Sequence, residues 1–446
     1  MRVRSVNIKV LTCWHFIRER YFMTTQEKQK KLSLRPLSPR DPEQPHRAAT
    51  PLELLFDLIF VVAIATAGQQ LHHAIIENHL WHALPSYLMV FFALWWAWMN
   101  FSWFASAYDN DDALYRCLTF VQIVGSLVMA AGIPNVFHSQ DFDIIIVGYV
   151  IMRLALVTQW LRAAKHDPER RITAYRYAIG IVLVQIGWLV ANFAHALSIP
   201  LFLLLVVVEL FVPIYAEKYS PTPWHPHHIV ERYALLTIIV LGESIVGSFN
   251  AIRDALAAQS INIPAVFLMI GGLMLMFAMW WAYFDRSEQH HHVKGVRPFV
   301  WGYGHYFVFV SVAAVGAALA AAVDVTTHHA HISDLYMGVI VAVSVVLYTS
   351  CIWILYEFQC LSGITKWFYP ITALIILCIP FICNNVGYSV FAMGIVYTLR
   401  LFISNKFMEN IEPKQGLKII KLKNGFQFET RFLLNHLERK LSSFCF

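Results

Sequence analysis

Four charged side chains stand inside long apolar runs: Asp57 after Phe56, Arg153 after Met152, Glu209 after Val208, and Glu243 in Leu241-Gly242-Glu243-Ser244. A charge at bilayer depth is costly unless it is paired or hydrated, so each marks a candidate site. Two chemistries follow. In the first, Arg153 pairs with Asp57, Glu209 or Glu243 and ties helices together. In the second, a carboxylate left without an arginine has a raised pKa and binds a cation or carries a proton. His305, in Trp301-Gly302-Tyr303-Gly304-His305-Tyr306, falls among aromatics and glycines. It is either part of an inner lining or a core histidine satisfied by a neighbour.

Thr50-Pro51-Leu52-Glu53 reads as a helix start, with Thr50 capping, Pro51 at the first helical position and Glu53 reaching back. The cap accounts for Glu53. Asp57 follows four residues later on the same helical face, with no local backbone donor. The string Asp109-Asn110-Asp111-Asp112 has the look of an acidic cation site, and equally of a solvated capping turn. The 20 histidines cluster in loops, at His72, His73, His79 and His82, at His225, His227 and His228, at His290 to His292, and at His328, His329 and His331. Their spacings match no defined zinc motif, so no metal is expected. Nor do the seven cysteines form a disulfide framework; Cys378 and Cys383 read as packing residues. P-loop, dinucleotide, nucleophile-elbow and HExxH patterns are absent, so neither a cofactor nor an enzymatic activity is expected.

These residues need elements to hold them, and the composition says which. Of 446 residues, 58% are hydrophobic and only 14% charged, with a mean hydropathy of +0.54. That excludes an ordinary soluble enzyme, a disordered chain and a small disulfide scaffold. It implies an all-α, polytopic membrane helix bundle. Twelve spans are predicted, at 52–71, 84–106, 115–134, 143–162, 176–196, 199–216, 231–250, 264–284, 300–322, 336–356, 367–383 and 386–403. With the basic N-terminal tail in the cytoplasm, the predicted inner loops and their edges hold twelve Lys and Arg, and the outer loops hold Arg253 alone. This asymmetry places both termini in the cytoplasm and the bundle in the cell (inner) membrane. The net charge of +6 is spread over tails and alternate loops, a topology signal that speaks against nucleic acid as a partner. No long apolar core occurs in residues 1–50, so no cleavable signal peptide is expected there, and Met23 offers a second start.

An internal match suggests how the spans are grouped. Shifted by 185 residues, Leu88 to Trp98 lies over Leu273 to Tyr283 with seven of eleven positions identical. Two parallel six-helix repeats are therefore expected, with a functional site at their interface. The chain then divides into a basic tail (1–50), a first half (51–217), a second half (218–403) and a second basic tail (404–446). Within the last, Phe426 to Leu441 is a basic amphipathic stretch suited to an anionic membrane surface.

Several strings, in order, carry a family likeness: Thr50 to Ala63; Trp95-Trp96-Ala97-Trp98 leading to Tyr108 to Asp112; Thr222 to His228 leading to Glu231-Arg232-Tyr233; Val240 to Ser244; and Trp301 to His305. Over about residues 47–325 the chain resembles the bacterial low temperature requirement protein A family. That resemblance implies a multi-pass membrane protein linked genetically to growth in the cold, and it supplies no mechanism. Remotely, Arg47 ahead of Phe56-Asp57 is similar to the first-helix pattern of six-plus-six helix potassium channels. The leading expectation is a transporter or channel for a small cation, its pathway drawn from Asp57, Arg153, Glu209, Glu243 and His305, with membrane lipid as its surroundings. The alternative is a non-transporting membrane protein with a structural or lipid-sensing role in cold growth.

Overall fold

The computed structural model describes residues 34–45, 47–287, 297–358 and 367–422. The first 33 residues, His290 to His292 and the Phe426 to Leu441 stretch lie outside the described residues. Among those described, all regular structure is helical. The helices are α1 (Pro51–Ile76), α2 (Leu80–Tyr108), α3 (Ala113–Ser139), α4 (Asp143–His166), α5 (Arg171–Phe193), α6 (Ile199–Glu217), α7 (Pro226–Ala257), α8 (Ile263–Ser287), α9 (Arg297–Thr326), α10 (Asp334–Ile352), α11 (Phe368–Ile382) and α12 (Val386–Leu422). A π-helical turn, Trp353–Glu357, continues α10.

Eleven of these helices are long and apolar enough to cross a membrane. The remaining one, α11, has 15 residues. At 1.5 Å per residue it reaches about 22 Å, short of a hydrocarbon core of about 30 Å. The expected twelve spans are thus eleven long helices and one shorter apolar helix.

Helix ends follow local chemistry. Thr50 Oγ1 accepts from Glu53 N–H at 3.3 Å, and Thr50 N–H donates to Glu53 Oε2 at 2.7 Å, completing the capping box. Asp112 caps α3 by accepting from Tyr115 N–H at 2.8 Å. The same carboxylate is gripped by Arg162 and by the Arg35 N–H, while Arg116 pairs with Asp111 at 2.7 Å. Asp111 and Asp112 of the acidic tetrapeptide thus form a capping turn held by arginines. Further along, α7 begins at Pro226, five residues before the predicted limit, with the His225 side chain accepting from His228 N–H at 3.2 Å.

The innermost helices are α2 and α9, each with 83% of its apolar window buried inside the protein. On the perimeter, α6 exposes Leu203, Leu204, Val207 and Phe211, the surface a lipid-facing helix presents. In the first half α1 packs on α3, α3 on α4, α4 on α5 and α5 on α6. The pairs α7–α9, α9–α10, α10–α11 and α11–α12 repeat that order six helices later. The two matched aromatic strings nevertheless differ in surroundings. Trp95 and Trp96 are 3% and 2% exposed on central α2, whereas Trp280 and Trp281 are 48% and 36% exposed on α8. Helix α1 lies against both α7 and α9. Close approach of α9 to α7 depends on Gly316, where an added Cβ would stand 2.5 Å from Ser244 Oγ.

Candidate functional site

The α1–α7 contact buries a charge cluster. Arg232, on α7, is fully buried, with Nη2 2.5 Å from Asp57 Oδ1 and Nη1 3.6 Å from Glu53 Oε1. From central α2, Trp98 Nε1 donates to Asp57 Oδ1 at 2.7 Å, and Ser102 Oγ accepts from Arg232 at 3.1 Å. His228 Nε2 lies 3.1 Å from Glu53 Oε1. Paired, hydrogen-bonded charges of this kind are tolerated inside a protein where isolated ones are not.

Just outside the helix ends, the cluster continues. Arg47 Nη2 donates to the Ala105 carbonyl at 2.8 Å rather than to Asp57. Burial, with Arg40 nearby, lowers the Arg47 pKa. Burial first, then the Glu53 charge, pushes the Asp109 carboxyl up to about 6. Burial also disfavours the Asp112 charge, but the bonds from Arg162, Arg35 N–H and Tyr115 N–H outweigh it and hold that carboxyl below its usual range. His225 is kept below the ordinary imidazole value, chiefly by burial.

A second arrangement joins α4, α5 and α6. Arg153 Nη2 lies 3.1 Å from Glu209 Oε2, which also accepts from Tyr149 O–H at 2.6 Å. Trp188 Nε1 donates to the other Glu209 oxygen at 3.1 Å. Arg153 donates to the Tyr149 hydroxyl and lies over that ring, 4.4 Å from its centroid. Of the three acids open to Arg153 in the sequence, it takes Glu209; Asp57 belongs to Arg232.

Glu243 is different. It is half-buried on α7, and no hydrogen bond or ion pair holds its carboxylate among the described residues. It lines a cavity of about 190 Å³ between α1, α7 and α9, together with Gly68, Gln69, His72, Asn250 and Asp324. At its rim His72 Nε2 meets Asp324 Oδ2 at 2.7 Å. A Cβ on Gly68 or Gly247 would meet nothing within 4 Å, so the glycines leave this space open. Gly68 stands eleven residues beyond Asp57 on α1, about 16 Å along the axis. Cavity and charge cluster therefore occupy one seam.

His305 is buried, its Nδ1 2.7 Å from the Trp301 carbonyl and its Nε2 2.9 Å from Tyr356 O and 3.1 Å from Tyr283 O. The carbonyl requires Nδ1 to carry a proton, and in the neutral ring the single Nε2 lone pair accepts from one of the two tyrosine hydroxyls. This is a neutral core histidine satisfied by its neighbours. Among the described residues no three His, Cys, Asp or Glu side chains come together as a metal site.

Arg232, His228 and Trp98 were not among the candidates from sequence. The predicted span beginning at 231 puts Arg232 at its very edge, whereas a helix starting at Pro226 carries it about two turns inward. The available signal was His225-Pro226, a proline at the first helical position.

The model of the family described as bacterial low temperature requirement A protein (LtrA) matches residues 48–403. The chain belongs to the LtrA family. With eleven long apolar helices among its described residues, this LtrA protein is a multi-pass membrane protein. The match extends well beyond the stretch over which single strings are recognisable. An uncharacterized protein of Rhizobium meliloti (strain 1021) is 24% identical over 271 residues, 57% of this chain and 64% of that relative. The matched part of the chain thus spans a little under two thirds of the relative's length. The LtrA-like strings, scattered in sequence, converge in space: Thr50 to Ala63 supplies Glu53 and Asp57, the tryptophan string supplies Trp98, and the stretch to Tyr233 supplies His228 and Arg232. Val240 to Ser244 adds Glu243 higher on the same seam.

Proposed function

We propose that this LtrA protein is a transporter or channel for a small cation, a proton or a monovalent metal ion, along the α1–α7–α9 seam. The observation that carries the reading is Glu243: a half-buried carboxylate with no partner among the described residues, on the wall of a polar cavity. A negative charge held in a low-dielectric wall attracts cations strongly. The cation enters past His72 and Asp324, rests near Glu243, and meets the Arg232–Asp57–Glu53 cluster as the barrier between the cavity and the opposite end. Passage requires Arg232 to shift, because its buried positive charge repels a cation.

The excess of Lys and Arg at the Thr50 end supports that end, and with it both termini, in the cytoplasm of the cell membrane, so the cavity lies on the outer side. The recurring neighbour order supports two parallel six-helix halves with the pathway between them. No enzymatic step is assigned. Growth in the cold is the physiological setting that the family name suggests.

One observation favours the non-transporting reading. Both Glu209 oxygens are occupied, by Arg153 Nη2 and Tyr149 O–H on one side and Trp188 Nε1 on the other, as a structural role requires. The two readings separate in liposomes. Cation flux that persists after Asp57 and Glu243 are both neutralised removes the transport assignment.

A further inference from the structure

A second cavity, remote from Glu243, has the chemistry of a ligand site. At about 570 Å³ it lies between α2, α4, α5, α6 and the starts of α7 and α9, a volume within the range of small-molecule sites. Its walls are aromatic, with Trp103, Trp160, Trp224, Tyr177, Phe299 and Tyr303 among the lining residues. Trp103 stands 4.9 Å from Trp224 and Phe299 5.9 Å from Tyr303, centroid to centroid. Four prolines, Pro213, Pro221, Pro226 and Pro298, also line the cavity and stiffen its rim.

One carboxylate enters this aromatic shell. Glu217 ends α6, and its oxygens accept from Tyr177 O–H at 2.8 Å and from Thr222 N–H and O–H, both at 2.7 Å. These neutral donors orient it without a direct ion pair; Arg170 acts on it only from a distance. No cationic nitrogen lies within 4 Å of it among the described residues. Lys218 also lines the cavity, but it is exposed and its ammonium is paired with no carboxylate. Asn100 also lines the cavity and donates to the Trp96 carbonyl at 2.8 Å.

Aromatic faces around a lone carboxylate favour a soft, weakly hydrated cation, because the ring quadrupoles and the carboxylate attract the same charge while the apolar walls repel a hydrated ion. We propose that this cavity binds a lipophilic organic monocation of the quaternary-ammonium class, with Glu217 as its counter-ion. The site is separate from the Glu243 seam and stands whether or not that seam conducts.

The test is calorimetric titration of the full chain, in an uncharged maltoside detergent, with benzyltrimethylammonium and with its uncharged carbon isostere neopentylbenzene. Saturable binding of the ammonium, at least tenfold tighter than the isostere, is expected. Glu217→Gln is expected to weaken the ammonium at least tenfold and leave the isostere within twofold; Trp224→Leu weakens both. Equal affinity for the two probes, or no saturable ammonium binding to the folded wild type, overturns the proposal without recourse to a variant. Undiminished ammonium binding by folded Glu217→Gln overturns the role given to Glu217.

Discussion

Arg232 Nη2 lies 2.5 Å from Asp57 Oδ1, a contact between residues 175 positions apart that ties α1 to α7. Both side chains are fully buried. The pair is therefore an element of the packing between α1 and α7.

Removing one member of such a pair strands the other in a medium that cannot solvate it. Arg232→Met and Asp57→Asn are each expected to destabilise the protein by about 3 kcal/mol, and the double variant by less than the sum. Thermal unfolding in detergent of the two single variants and the double variant measures this. Additive losses would show that the charges do not interact.

The Arg153–Glu209 pair is expected to be structural. Arg153→Glu alone places two carboxylates together and lowers the melting temperature, and adding Glu209→Arg restores part of the loss. Recovery is incomplete because Trp188 Nε1 and Tyr149 O–H both donate to Glu209. Cation flux follows folding in this series. A well-folded double variant without flux would instead place this pair in the pathway.

Much of this arrangement was legible before any coordinates. The apolar runs gave the helices, and Thr50-Pro51-Leu52-Glu53 marked the start of α1 at the right residue. Asp57, Arg153, Glu209 and Glu243 stood out because charge is rare in such runs. The partners were harder to read, since pairing across 56 or 175 residues depends on which helices touch. A span list contains no such information. Arg232 was hidden for a second reason: histidines and a glutamate around it made the start of α7 look like loop. The central position of α2 was likewise unmarked, because apolarity does not sort burial: α2 is the least apolar of the eleven long helices, while α9, equally buried, is among the more apolar.

Asp109 gives the cluster a pH dependence. Burial, with Glu53 nearby, raises its carboxyl from 3.8 to about 6, so the folded protein holds this proton more tightly than the unfolded chain. The stability it contributes is fully present below about pH 4 and is lost as the pH rises through about 6. The difference in melting temperature between wild type and Asp109→Asn, followed from pH 4 to 7, is expected to move against the wild type as the pH rises. A constant difference would contradict the raised value.

Gly68 tests the cavity without touching a charge. Its missing Cβ faces open space, so Gly68→Leu fills part of the cavity at little cost to folding, within about 1 kcal/mol. Flux is expected to fall at least tenfold while the melting temperature stays close to that of the wild type. Unchanged flux in this variant would move the pathway away from the α1–α7–α9 seam.

The most direct measurement is cation flux in liposomes carrying the purified full chain, with potassium, sodium and proton gradients imposed in turn, for wild type and Glu243→Gln. The expected result is flux of at least one of these ions in the wild type and its loss in a Glu243→Gln variant that folds normally. Tight vesicles holding folded wild-type protein yet silent under all three gradients, or flux that survives Glu243→Gln, would contradict it.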